Sequence, residues 1–189
     1  MKHKLIIAGL MVMLFSGMCI IENDCVSCRP KTDMDSDTSS VYMLAGEFRT
    51  VFANLLWIKA EQYHHEYIMH GKDWTKDDEL LGLVRLITKL DPHFPEAYAV
   101  GTYLYADGRK DNREAIKYLR EGIYYNPKEW SLHQIAAIMY GYRMHNYDRA
   151  VYHAKMALKY CDHDFYRKAN VRLLKTIERD AKQAKKSAT

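Results

Sequence analysis

Shifted by 35 residues, this chain pairs with itself: Val84 falls on Leu119, Leu90 on Tyr125, Asp91 on Asn126 and Pro92 on Pro127. A second shift of the same size lays Ala115 on Ala150, Leu119 on Ala154, Gly122 on Ala157, Ile123 on Leu158, Tyr125 on Tyr160 and Tyr105 on Tyr140. A fixed period of this length confines the chain to architectures that stack one supersecondary unit on copies of itself. Apolar residues recur at three and four, as in Phe48, Phe52, Leu55 and Leu56 or in Leu80, Leu83, Val84 and Ile87, and strand-like alternation is scarce. The repeated unit is therefore built of helices.

Turn signals cut the helical material at Gly71 to Asp77, Asp91 to Pro95, Asp107 to Asn112, Asn126 to Lys128, Met144 to Asp148 and Cys161 to Asp164. Asp111 with Glu114, and Asn126 with Pro127 and Glu129, supply helix-start chemistry: a capping oxygen followed by an acid within the first turn. The spacing predicts helices at about 41–70, 76–90, 95–107, 112–125, 129–144, 147–160 and 164–186.

In the middle period, Tyr98, Gly101 with Thr102, Tyr105, Ala115, Leu119, Gly122 and Pro127 stand in the order aromatic, small pair, aromatic, alanine, apolar, small, proline. This pattern resembles the tetratricopeptide repeat, over about residues 55–162. One extra residue falls in the turn at Asp107 to Asn112. The third period departs from the pattern with His133 at the first aromatic and Asp162 in place of proline. The first departs with Leu80 at the alanine position, and its leading helix aligns through either Trp57 or Tyr63. The resemblance implies an all-α, right-handed solenoid of about three helical hairpins, with Tyr98, Gly101, Tyr105, Ala115, Leu119, Pro127, Ala150 and Ala157 as its packing positions. Phe165, Ala169, Leu173, Leu174, Ile177 and Ala181 form one stripe on a last helix suited to cap the stack. At the other end, the helix through Phe48 and Phe52 is suited to the same task.

Ahead of the repeats, LIIAGLMVMLFSGMCII at 5–21 is an uncharged run of 17 residues behind a basic MKHK start. That is the layout of a signal peptide or a short membrane anchor, assigned to 1–28, and the run lies at the lower limit for spanning a bilayer. Retention, cleavage and lipidation at Cys19 all stay open, with Met18 spoiling both the cleavage and the lipobox patterns. In each case Lys2 and Lys4 remain cytoplasmic and the remainder lies outside. Residues 29–40, RPKTDMDSDTSS, read as a flexible linker, and 41–189 as the repeat domain. A formal net charge of +4, two units of it from Lys2 and Lys4, is too even a balance to argue for nucleic acid.

Signs of catalysis are weak. His64, His65, Glu66 and His70 share a helical stretch, but His65 and His70 are five apart where a zinc-protease helix needs four. Cys25 and Cys28 are followed by Arg29, which does not suit haem attachment, and no strand pattern supplies the sheet that a thioredoxin-like pair requires. Asp162 and Asp164, beside Cys161 and His163, read as helix caps. No phosphate loop or nucleophile elbow occurs. The tail from Tyr166 onward carries eight basic and two acidic residues, the pattern of a solvated end helix.

Fifteen tyrosines are the compositional oddity. Carrying over the family's groove places Glu96, Ala99 and Tyr103, then Gln134, Ile138 and Tyr142, on the concave side, with His65 and Glu66 joining from the first repeat. The carboxylate clamp of chaperone-binding members has no counterpart, because Ala99, Val100 and Tyr103 stand at its positions. The resemblance thus implies a non-catalytic scaffold without cofactor or metal, and the N-terminal segment makes it membrane-anchored or exported. It would bind a peptide or helix of an envelope or secretion-machinery protein in a neutral, aromatic groove. The alternative is a metal- or redox-active periplasmic protein using the His64–His70 face or the Cys25/Cys28 pair.

Overall fold

The computed structural model describes residues 46–71 and 73–187, leaving out the side chains of 64, 66–68 and 187. The expectations for the anchor at 1–28, the linker at 29–40, Cys19, Cys25 and Cys28 lie outside those residues. Among the described residues every regular element is helical and there is no strand. A 3₁₀ turn at Gly46–Phe48 leads into α1 (Arg49–Met69), and a second at Trp74–Lys76 leads into α2 (Asp78–Leu90). Then follow α3 (Pro95–Tyr103), α4 (Asn112–Tyr125), α5 (Trp130–Ile138), α6 (Tyr147–Tyr160) and α7 (Asp164–Ser187). Each helix packs on the next in the chain, and α3 also touches α5.

Local chemistry explains most boundaries. Asp77 accepts from the amides of Glu79 and Leu80 at 2.9 and 3.1 Å and starts α2. Asp111 accepts from those of Arg113 and Glu114, both at 3.0 Å, and starts α4. Capping by side-chain oxygen satisfies donors that the helix itself cannot. Two expected caps are corrected. Asn126 turns its amide back to the carbonyls of Pro92 and Gly122, and Glu129 caps α5 through the amide of Ser131. At α7 the ring of His163, rather than Asp162 or Asp164, accepts from the amide of Phe165.

The backbone repeats at the spacing of the sequence. After α3 and α5 come π turns at Leu104–Gly108 and Met139–Arg143, then left-handed residues Lys110 and His145, with φ of 56° and 52°, then the caps Asp111 and Asn146. Amide to carbonyl bonds Asp111 to Tyr105 and Asn146 to Tyr140 recur in the same way. Each π turn holds one residue more than an α turn would, and the first of them runs into the turn expected at Asp107 to Asn112.

The core runs between the helices. Leu80, Leu81, Val84 and Ile87 of α2, Ala97 and Tyr98 of α3, Ala115 and Leu119 of α4, Leu132 and Ala136 of α5 and Ala150, Ala154 and Ala157 of α6 are all buried. Gly101 and Tyr105 are buried with them, while Pro127 is exposed. The two ends differ from expectation. On α1 it is Ala53 and Ala60 that are buried, with Leu56 and Trp57 packed beside the core, whereas Phe48 is 67% exposed and Phe52 46%. On α7 Ile177 is buried and Leu173 and Leu174 pack against the core, yet Phe165 is 70% exposed and Asn170 takes the innermost place.

Candidate partner-binding face

Glu96, Ala99 and Tyr103 recur at three and four along α3, so they fall on one side of it. Glu96 is exposed, and Ala99 and Tyr103 are half-buried against the core. On α5 Gln134 and Ile138 are half-buried, and Tyr142, within the π turn, is 46% exposed. His65 is exposed on α1, and the side chain of Glu66 lies outside the described residues.

Contacts that sequence reasoning missed decide how free these side chains are. Gln134 donates its amide to Oδ1 of Asn170 at 2.8 Å, so α7 holds it. Asn170 is fully buried, and its own Nδ2 has no partner among the described residues. Between the two π turns, Arg143 reaches back to Asp107 in a half-buried ion pair. Tyr103 lies beside that pair: burial raises its hydroxyl pKa above the ordinary value, the Asp107 charge adds to the rise, and the Arg143 charge opposes it. The pair joins residues 36 apart in two loops, a link that helical periodicity does not encode.

Each of the last two hairpins holds a pair of rings. Between α3 and α4, Tyr98 and Tyr118 have centroids 4.9 Å apart. A Cβ on Gly101 would come within 2.3 Å of the Tyr118 ring, and one on Gly122 within 2.6 Å of the Tyr98 ring, so each tyrosine lies on the other helix's glycine. Thirty-five residues on, His133 and His153 replace the tyrosines, with centroids 5.3 Å apart. Ala136 and Ala157, both fully buried, replace the glycines. An imidazole is smaller than a phenol, which leaves room for those methyls. His133 was marked in the sequence only as a departure from the aromatic pattern, and His153 not at all. Advancing the Tyr98–Tyr118 pair by one period would have found both.

The tyrosine hydroxyls find partners, as buried polar groups must. Tyr98 donates to Oε1 of Glu121 at 3.1 Å. Tyr118 lies 2.9 Å from Oγ1 of Thr88 and donates to the Val84 carbonyl at 3.2 Å. Burial pushes both phenols far above the ordinary tyrosine range, so they stay neutral. The histidines bond each other instead, Nδ1 to Nδ1 at 3.0 Å, and Nε2 of His133 meets the Pro127 carbonyl at 3.1 Å. Burial lowers both imidazoles. His153 falls to about 4, where the neighbouring His133 and Arg149 add to the desolvation. For His133, burial outweighs its bond to Pro127 and the Glu129 charge.

Among the described residues, no three His, Cys, Asp or Glu side chains are grouped to hold a metal ion, and His65 and His70 are exposed. Cys161 is a buried free thiol whose Sγ lies 3.5 Å from the His163 carbonyl. No described helix is long and apolar enough to cross a membrane. No family model and no curated protein matches the chain.

Proposed function

We propose that this chain is a non-catalytic scaffold, a right-handed solenoid of about three tetratricopeptide-like hairpins capped by α7, which binds a segment of another protein on the side presented by α3 and α5. The observation that carries the reading is the recurrence, 35 residues apart, of π turn, left-handed residue, side-chain cap and ring pair. Hairpins that repeat to this degree stack in register, and a stack in register lines up its leading helices into one continuous face. Tyr103 and Tyr142, one from each leading helix, offer large contact area with a hydroxyl for orientation. Residues 1–28 would hold the domain at a membrane or mark it for export, which makes an envelope or secretion-machinery protein the fitting partner.

The full chain carrying Tyr103→Ala and Tyr142→Ala should lose capture of its crosslinked partner from native membranes while keeping its helical circular dichroism. Undiminished capture by the double variant would reject the face assigned here.

A further inference from the structure

The bonds of His133 fix where every proton of the pair must sit. A carbonyl only accepts, so Nε2 of His133, 3.1 Å from the Pro127 oxygen, carries the hydrogen. A neutral imidazole has one N–H, which leaves Nδ1 of His133 with a bare lone pair. Nδ1 of His153, 3.0 Å away, must then be the donor, and Nε2 of His153 is bare. Two neutral rings of opposite tautomer satisfy this arrangement. A proton added at Nε2 of His153 leaves the bond intact but creates a cation in a half-buried place beside Arg149. A proton added at Nδ1 of His133 sets two N–H groups against each other at 3.0 Å, which no hydrogen bond tolerates.

The surroundings offer that charge little relief. The pair is enclosed by rings: Tyr140 stacks on His153 at 5.5 Å, Tyr160 stacks on His133 at 5.9 Å, and Tyr152 meets His153 edge-on at 5.1 Å. Arg149, on the same helix as His153, lies over the Tyr140 ring at 5.4 Å, so a cation already shares the ring on which His153 stacks. Among the described residues, Glu129, at the start of α5, is the acid whose field favours protonation, and it acts on His133. The packed helices α3, α4 and α7 contribute no charge that moves either ring.

We infer that the α5–α6 hairpin is an acid-operated joint: protonation of His133 and His153 parts the two helices, while the tyrosine-paired α3–α4 hairpin stays shut. The signs agree. Once apart, both imidazoles return toward the ordinary value near 6.5, whereas in the closed hairpin they are held below it. The closed form is thus at full strength above pH ~6.5 and weakens as pH falls from there toward about 4, where His153 protonates in place. In that window each histidine multiplies the opening equilibrium by up to about tenfold per pH unit. Because Gln134, Ile138 and Tyr142 ride on α5 and its turn, opening would also regulate the partner-binding face, a consequence that rests on the function proposed above.

Hydrogen–deuterium exchange of the full chain between pH 7.5 and 4.5, divided at each pH by the intrinsic exchange rate, reads the joint directly. Opening of α5 and α6 should rise about five- to thirtyfold from pH 6.5 to 5.5, with α3 and α4 changed far less. His153→Gln, which keeps a donor for His133 but cannot titrate, should remove about half of the dependence on a logarithmic scale. Copying the middle hairpin with His133→Tyr, His153→Tyr, Ala136→Gly and Ala157→Gly should abolish it and supplies the space the larger rings need. Equal acid sensitivity in both hairpins, or a slope unchanged in His153→Gln, would overturn the joint whatever the partner does. Acid opening with partner capture unaffected would leave the joint standing and sink the binding face instead.

Discussion

Between α3 and α4 two phenols meet, and between α5 and α6 two imidazoles, on backbones whose turns, caps and ring placements correspond 35 residues apart. The difference lies in where the polar atoms go. Tyr118 sends its hydroxyl out of its own hairpin to Val84 and Thr88 of α2, tying one repeat to the one before. His153 spends its N–H on His133 within the same hairpin, and the positions matching Val84 and Thr88 are Leu119 and Ile123, with no side-chain hydroxyl to meet it. The same backbone therefore carries a joint between repeats in one place and a closed pair inside a repeat in the other. Small residues make the exchange possible, since glycine seats the larger ring and alanine the smaller.

The hardest blow to this comparison falls on the glycines. Gly122→Ala drives a methyl to 2.6 Å from Cγ and 2.8 Å from Cβ of Tyr98. Cβ sits next to the backbone and cannot swing aside, so overpacking should cost about 2–3 kcal/mol, even though alanine favours the helix by about 1. The mirror change Ala157→Gly, which gives the smaller ring more space, should cost only about 1 kcal/mol. Urea denaturation of both variants measures the contrast. A neutral Gly122→Ala would show that Tyr98 is not seated on α4.

Tyr118→Phe tests the joint between repeats. The ring and its packing remain, while the Val84 carbonyl and the Thr88 hydroxyl lose a buried partner, at a cost of about 1.5 kcal/mol. A double-mutant cycle with Thr88→Val should recover part of this loss if the two hydroxyls are coupled, and strict additivity would show that they act separately.

How far the sequence leads depends on the range of the interaction. Helix limits were readable because caps and turns act over three or four residues: α2, α4 and α6 begin and end within about two residues of the spacing-based expectation. Where a local signal had two readings, the choice failed, since Asn126 looked like a cap for α5 and instead closes α4 onto Pro92. Asp107 with Arg143 and Gln134 with Asn170 bridge 36 residues, and only packing brings such pairs together. On the proposed face, the sequence marked Glu96, Ala99 and Tyr103 as one side of α3 and Gln134 and Ile138 as one side of α5, and of these only Glu96 is exposed. The sequence did not disclose that α7 holds Gln134, nor that Asp107 and Arg143 flank Tyr103. The histidine pair was hidden for a further reason. Read singly, His133 breaks the aromatic pattern, and its meaning emerges only when its opposite ring has changed with it.

The finest point of comparison is the pair of left-handed residues. Lys110 and His145 hold φ of 56° and 52° at matching places ahead of Asp111 and Asn146, a conformation that crowds any Cβ. Glycine relieves the crowding but adds freedom to the unfolded chain, so Lys110→Gly should gain about 0.5–1 kcal/mol net. His145→Gly should gain less, because the imidazole lies 6.4 Å from the ring of Tyr147 and that contact is given up. Thermal unfolding at pH 7.5, where His133 and His153 are both neutral, keeps the acid effect out of the measurement. Gains in the order Lys110 above His145 would show that the two turns are equivalent in backbone and differ only in what the side chain touches. A loss at either position would mean that the side chain, not the turn, is what the repeat preserves there.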